Sequence, residues 1–171
     1  MSLSLIDAAR YNQTDNVQSL LRSGSVALDS PEAWAAFCAA AFEGHLTIVQ
    51  EFVRHGIDIN LRSNDMTALD CAIENTHLAL VRYLLQNGAH VNIADTAGQT
   101  PLHRAIDIEA ESANHHYDTT GEEELPSIAL TEVLLSYGAD VNARTANGET
   151  PLDWARERHP RAVHLLQRHG A

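Results

Sequence analysis

Three groups of residues in this chain have side chains that could do chemistry. His103, in Thr100-Pro101-Leu102-His103, is a potential general base three residues from a threonine hydroxyl. His115-His116-Tyr117-Asp118 places metal-ligand types side by side. Cys38 and Cys71 are the two thiols. The His115 cluster lacks His-x-x-x-His spacing, and adjacent histidines rarely aim at one point. It reads as part of a solvated loop and not as a metal site. The cysteines read as small, reduced packing residues. No Ser/His/Asp or Cys/His constellation stands out, and no glycine-rich phosphate loop. The sequence therefore predicts no catalytic residue, no metal and no cofactor.

The element that positions His103 is a recurring one. Asp95-Thr96-Ala97-Gly98-Gln99-Thr100-Pro101-Leu102-His103-Arg104-Ala105 predicts a hairpin tip followed by a helix start. Asp95 and Gly98 suit a tight turn, Thr100 can cap the first amides, and Pro101 suits the first turn. A second copy is Asn147-Gly148-Glu149-Thr150-Pro151-Leu152-Asp153-Trp154-Ala155, and a worn one is Asp65-Met66-Thr67-Ala68-Leu69-Asp70-Cys71-Ala72. Thr67 and Thr100 are 33 residues apart, and Thr100 and Thr150 are 50 apart, which is one period with 17 residues added. Asn87-Gly88-Ala89-His90-Val91-Asn92 and Tyr137-Gly138-Ala139-Asp140-Val141-Asn142 repeat the spacing of 50, and His55-Gly56-Ile57-Asp58-Ile59-Asn60 precedes the first of them by 32.

A period near 33 carrying Thr-Pro-Leu-His resembles the ankyrin repeat, over nearly the whole chain. The resemblance implies an all-α solenoid of about five helix-turn-helix repeats with β-hairpin tips, forming a single domain over residues 1–171. The repeats fall at about 1–28, 29–61, 62–94, 95–143 and 144–171. The first lacks a hairpin and the last ends in a polar helix from Pro160, as terminal caps do. In the second, Ala35-Ala36-Phe37-Cys38 stands where Thr-Pro-Leu-His would be, with Pro31 and Glu32 at its tip. The family also implies that Thr100 and His103 form a structural hydrogen-bond pair, and that His45 and His77 are structural residues at second-helix starts.

The fourth repeat carries an acidic insertion at 109–125, with six acids and no arginine. Glu109 to Ala113 could prolong the first helix, Thr119-Thr120-Gly121 must turn the chain, and Pro126 marks the re-entry. Two readings stay open. It is a length variant forming an acidic loop, or an element that extends the binding surface toward a basic partner.

In the family, hairpin tips and first helices line a concave face where partners bind. Carried over by position, that face holds Tyr11, Trp34, Phe42, Glu43, Met66, Glu74, Asn75, Gln99, Asp107 and Ile108. Tyr11, Trp34, Phe42 and Met66 are large apolar residues that the scaffold does not need. With Glu43, Glu74 and Asp107 they resemble a hot spot with a charged rim. The alternative is that Trp34 and Phe42 fold back to fill gaps in the alanine-rich second repeat.

Charge narrows the partner. The formal net charge is −12, and all 11 basic residues are arginine, which points to a compositionally biased, bacterial type of genome. Nucleic-acid binding needs a basic footprint and is not expected; a protein with a basic surface is. No apolar stretch approaches a membrane span. Met1 to Arg10 lacks a basic start followed by an apolar run, so no signal peptide, a cytoplasmic location and a monomer are expected. The function expected is non-catalytic protein–protein interaction through the concave face. The alternative is an immunity-type inhibitor that masks the active site of a basic toxin or enzyme.

Overall fold

The structure, a computed structural model, describes residues 4–120 and 127–171, with side chains at 4–111 and 127–171. Most first helices begin where a hydroxyl can satisfy the open amides of the first turn. Ser4 accepts from Asp7 N–H at 3.1 Å to open α1 (Leu5–Arg10). Ser30 accepts from Ala33 N–H at 3.2 Å to open α3 (Pro31–Phe42). Thr67 and Thr150 open α5 (Ala68–Glu74) and α9 (Pro151–Arg158) through reciprocal capping boxes with Asp70 and Asp153. Thr100 precedes α7 (Pro101–Thr120). The second helices are α2 (Thr14–Arg22), α4 (Leu46–Arg54), α6 (Leu78–Gln86), α8 (Ala129–Ser136) and α10 (Pro160–Arg168).

The links from α1 to α2, α3 to α4 and α5 to α6 are tight turns with one residue in the left-handed region. That residue is Asn12 at φ 55°, Gly44 at 74° and Thr76 at 55°. Gly44 is needed twice over, because a Cβ there would stand 2.6 Å from the His77 ring.

The chain divides into two compact units, one ending at Ala89 and one beginning at His90. In the first, α1, α3 and α5 lie side by side, with α2, α4 and α6 each packed on its own first helix. Ala8, Ala9, Ala36, Ala40, Ala41, Ala68 and Ala72 are fully buried along the first helices. Such small side chains let neighbouring helices approach closely, which accounts for a core with few aromatic residues. Phe37 and Phe52 meet edge to face at 5.7 Å, and Ile48, Leu69, Ile73, Leu80 and Leu84 fill the remaining space. Each such side chain contributes about 2 kcal/mol through burial. In the second unit, α7 packs on α8 and α9, and α9 on α10, around Leu102, Ile106, Leu134, Ala155 and Leu166.

The structure departs from expectation in three places. Among the described residues only one tip has paired strands: β1 (Arg62–Ser63) and β2 (Met66–Thr67) run antiparallel, with Ser63 opposite Met66. The later tips are turns without paired strands, closed by Asp95 N–H to Gln99 O at 2.9 Å and Gly98 N–H to Asp95 O at 3.0 Å, and by Thr145 N–H to Glu149 O at 3.0 Å and Gly148 N–H to Thr145 O at 2.8 Å. There the neighbouring tip supplies the next bond, Ala146 N–H to Ala97 O at 2.8 Å. Second, α3 starts a turn early because Ser30-Pro31 forms its own cap, so Pro31 and Glu32 are helical and not at a tip. Third, α7 runs for 20 residues. The insertion is therefore helical from Glu109 to Thr120; His115 to Asp118 lie on a helix and not in a loop, and Thr119-Thr120 do not turn. No glycine or proline interrupts Leu102 to Thr120, and alanine and glutamate favour continuation. The expected turn at Gly121 and re-entry at Pro126 lie outside the described residues, as do the side chains of His115, His116, Tyr117 and Asp118.

Candidate functional site

His103 is fully buried and its bonds fix its tautomer. Nδ1 accepts from the Thr100 hydroxyl at 3.0 Å, and Nε2–H donates to Glu149 O at 3.3 Å. Burial holds the imidazole below its ordinary range. With both nitrogens committed, His103 ties two turns of the scaffold together and is no general base. Asp70 and Asp153 take its place in the other capped helices, each accepting from its threonine hydroxyl at 2.7 Å. His45 and His77 start second helices and reach back one period, donating from Nε2 to Arg10 O and Phe42 O, each at 2.9 Å.

The residues assigned to a binding face are placed as follows. In the first unit Tyr11 caps the end of α1 and is 65% exposed, and Phe42 ends α3 and is 47% exposed. They stand one residue apart in the repeat, Tyr11 matching Glu43 and Phe42 matching Arg10, at the same ends of two helices that pack together. Glu43 follows Phe42 and is exposed, and Glu74 and Asn75 end α5 half-buried. Those five share the C-terminal ends of the first helices. Trp34 and Met66 do not join them. Trp34 sits in the first turn of α3, about 12 Å along the helix from Phe42. It is half-buried, and its indole N–H donates to Leu28 O at 3.1 Å. Met66 is half-buried in β2. Phe42 thus does not fill a gap, whereas Trp34 is partly packed. In the second unit, Gln99 closes a tip turn with its N–H 2.9 Å from Asp95 Oδ1. Asp107 and Ile108 are half-buried on α7, and Asp107 is paired with Arg158 of α9. Arg158 also stacks 5.4 Å from the Trp154 ring centroid, so this carboxylate is neutralised within the chain.

Sequence reasoning missed Glu109. It is buried, and its carboxylate accepts from Leu130 N–H at 2.7 Å, Thr131 N–H at 3.4 Å and the Thr131 hydroxyl at 2.7 Å. It caps α8 from the middle of α7, and burial nevertheless raises it to about 7. His159, also buried, lies 3.9 Å from it and donates from Nε2 to Ser127 O at 2.7 Å. His159 starts α10 as His45 and His77 start α4 and α6. Here α7 continues past the usual stop, and Ser127 supplies the accepting carbonyl. The signal was a glutamate at the place where Asn12, Gly44 and Thr76 turn the chain. Cys38 and Cys71 are buried and reduced, and a hydrogen bond from Cys71 holds the Cys38 thiol below its ordinary range. Among the described residues no cluster of histidine, cysteine or carboxylate side chains could hold a metal ion. No helix among them is long and apolar enough to cross a membrane.

A family profile described as "Ankyrin repeats (3 copies)" matches residues 5–95, more than half of the chain. The chain belongs to the ankyrin-repeat family. Profiles described as "Ankyrin repeats (many copies)" and "Ankyrin repeat" match residues 72–119 and 97–146. Similar curated proteins include "Arf-GAP with coiled-coil, ANK repeat and PH domain-containing protein 2" of Gallus gallus, 42% identical over 69 residues, covering 39% of this chain and 9% of that protein. "Potassium channel AKT1" of Arabidopsis thaliana is 37% identical over 75 residues, covering 43% and 9%. "Ankyrin repeat domain-containing protein 40" of Mus musculus is 31% identical over 106 residues, covering 61% and 29%. The chain matches under a third of the length of each of these relatives. Ankyrin repeats are in general non-catalytic protein-interaction modules, and the ankyrin scaffold here accounts for His45, His77, His103 and His159 without any reaction.

Proposed function

We propose that this ankyrin-repeat chain is a cytoplasmic, monomeric, non-catalytic binding module for a partner protein with a basic surface. The observation that carries the reading is the exposure of Tyr11 and Phe42 at matching ends of α1 and α3. Aromatic residues left open at the C-terminal ends of adjacent first helices do nothing for the core and offer large contact area. Glu43, Glu74 and Asn75 rim it, and the net charge of −12 favours a basic partner. Gln99, Asp107 and Ile108 hold the corresponding family positions in the second unit. Inhibition of a basic toxin or enzyme is the narrower form of this reading, and the same charge favours it.

The test is affinity capture from a lysate of the native source, comparing the chain with a Tyr11→Ala/Phe42→Ala variant. One stoichiometric partner should be retained by the chain and lost by the variant, with melting temperatures within a few degrees. A partner held equally by both rejects this face. Should the captured protein be an enzyme that loses activity in the complex, the inhibitor form is selected.

A further inference from the structure

A cavity of about 380 Å³ lies in the first unit, lined by Leu28, Asp29, Trp34, Gly56, Asp58 and Leu61. Two stretches of backbone build it: the run into α3 and the run out of α4. The indole is held in place by its bond to Leu28 O at 3.1 Å. Asp58 is oriented by a bond from Asn60 N–H to its Oδ1 at 3.0 Å, which leaves the second oxygen open. Asp29 and Asp58 are both exposed, and neither has a cationic partner among the described residues. The arginines before and after Asp58 in sequence, Arg54 and Arg62, are engaged with Glu51 and Asp65.

We infer that this cavity is a receptor for an arginine side chain presented by a protein partner. The inference rests on the protein-binding reading above and gives the partner's chemistry at one point. An aromatic surface with two unneutralised carboxylates complements a cation that is flat, weakly hydrated and able to bond in several directions. A guanidinium is all three, and it can lie against an indole while donating to both carboxylates. An ammonium is more strongly hydrated and cannot stack. The volume, at the lower end of the range for small-molecule sites, is ample for one arginine side chain. Trp34, apart from Phe42 along α3, thereby has a role of its own.

The probe is N-acetyl-arginine amide, with the citrulline amide as neutral isostere and the lysine amide as the other cation. Titrations are followed by the indole N–H resonances in a nitrogen-15 spectrum. The Trp34 N–H reports on the cavity, and the Trp154 N–H, which donates to Glu149 Oε2 at 3.3 Å, serves as the internal control. The arginine amide should give a saturable shift at Trp34 alone. Citrulline should bind at least tenfold more weakly, with lysine between them. Asp29→Asn/Asp58→Asn, at exposed positions, should weaken arginine at least tenfold with unchanged melting. No saturable Trp34 shift, equal binding of citrulline, lysine binding as tight as arginine, or unaltered affinity in the double variant would each overturn the inference. A failed titration with partner capture still dependent on Tyr11 and Phe42 rejects the cavity alone. Capture indifferent to Tyr11 and Phe42 rejects the proposed face, whatever the titration shows.

Discussion

Single backbone positions decide how tightly each helix pair is closed. Gly44 and Thr76 hold the same place in successive repeats, and both adopt the left-handed region. Glycine adopts it freely, whereas a β-branched residue does so at a cost of about 1–2 kcal/mol. Thr76→Gly should therefore raise stability by about 1 kcal/mol after the added freedom of the unfolded chain is subtracted. Gly44→Ala should lower it by about 2 kcal/mol, because the new Cβ also displaces His77 from Phe42 O. Urea unfolding of both variants checks the pair, and matching signs would refute the account. At this scale the sequence was legible wherever a residue type had one physical task. Thr100, Thr150 and Pro101 announced helix starts, and His45 and His77 stood where their backbone bonds required. Ser30-Pro31 made the same announcement for α3, but the worn motif at Ala35 drew the helix start five residues too late.

Elements were less legible where one side chain replaced a whole turn. The period located an insertion, and the run of helix formers allowed some prolongation of α7. Nothing local showed that Glu109 would stop being a surface acid and become the cap of a helix 20 residues further on. Its consequence is a dependence on pH. Glu109 is raised to about 7 in the fold against an ordinary value of 4.5. The folded chain thus holds a proton there that the unfolded chain releases. The stabilisation is fully present below about 4.5 and is lost as pH rises through about 7. His159 is lowered by burial, so its contribution is present above the ordinary imidazole value and is lost as pH falls below it. The two oppose each other, and comparison with Glu109→Gln isolates the first. The stability of the chain minus that of the variant should fall by up to about 3 kcal/mol between pH 5 and 8. Denaturant unfolding at each pH measures it, and a flat difference would show that Glu109 titrates as it does in water.

For the molecule as a whole, charge sets how a partner arrives more than how firmly it stays. With −12 distributed over 171 residues, association with a basic protein should be accelerated at low ionic strength. Raising salt from 50 to 500 mM should slow association about tenfold or more and change dissociation far less. Stopped-flow mixing with the captured partner decides, and equal effects on both rates would place the charges inside the interface. Fold class was legible at this scale because five repeats had to present the same faces to their neighbours. The proposed binding face was legible only by position, since surface residues answer to a partner that the sequence does not contain. That is why Tyr11 and Phe42 fell together and Trp34 did not. The long α7 carries a further consequence. Glu109 on α7 supplies acceptors for Leu130 and Thr131 in the first turn of α8, while the Ser127 hydroxyl accepts from Ala129 N–H at 3.2 Å. The fastening of α8 therefore travels with the long first helix, and a change that shortens α7 below Glu109 removes it even where every residue of α8 is kept.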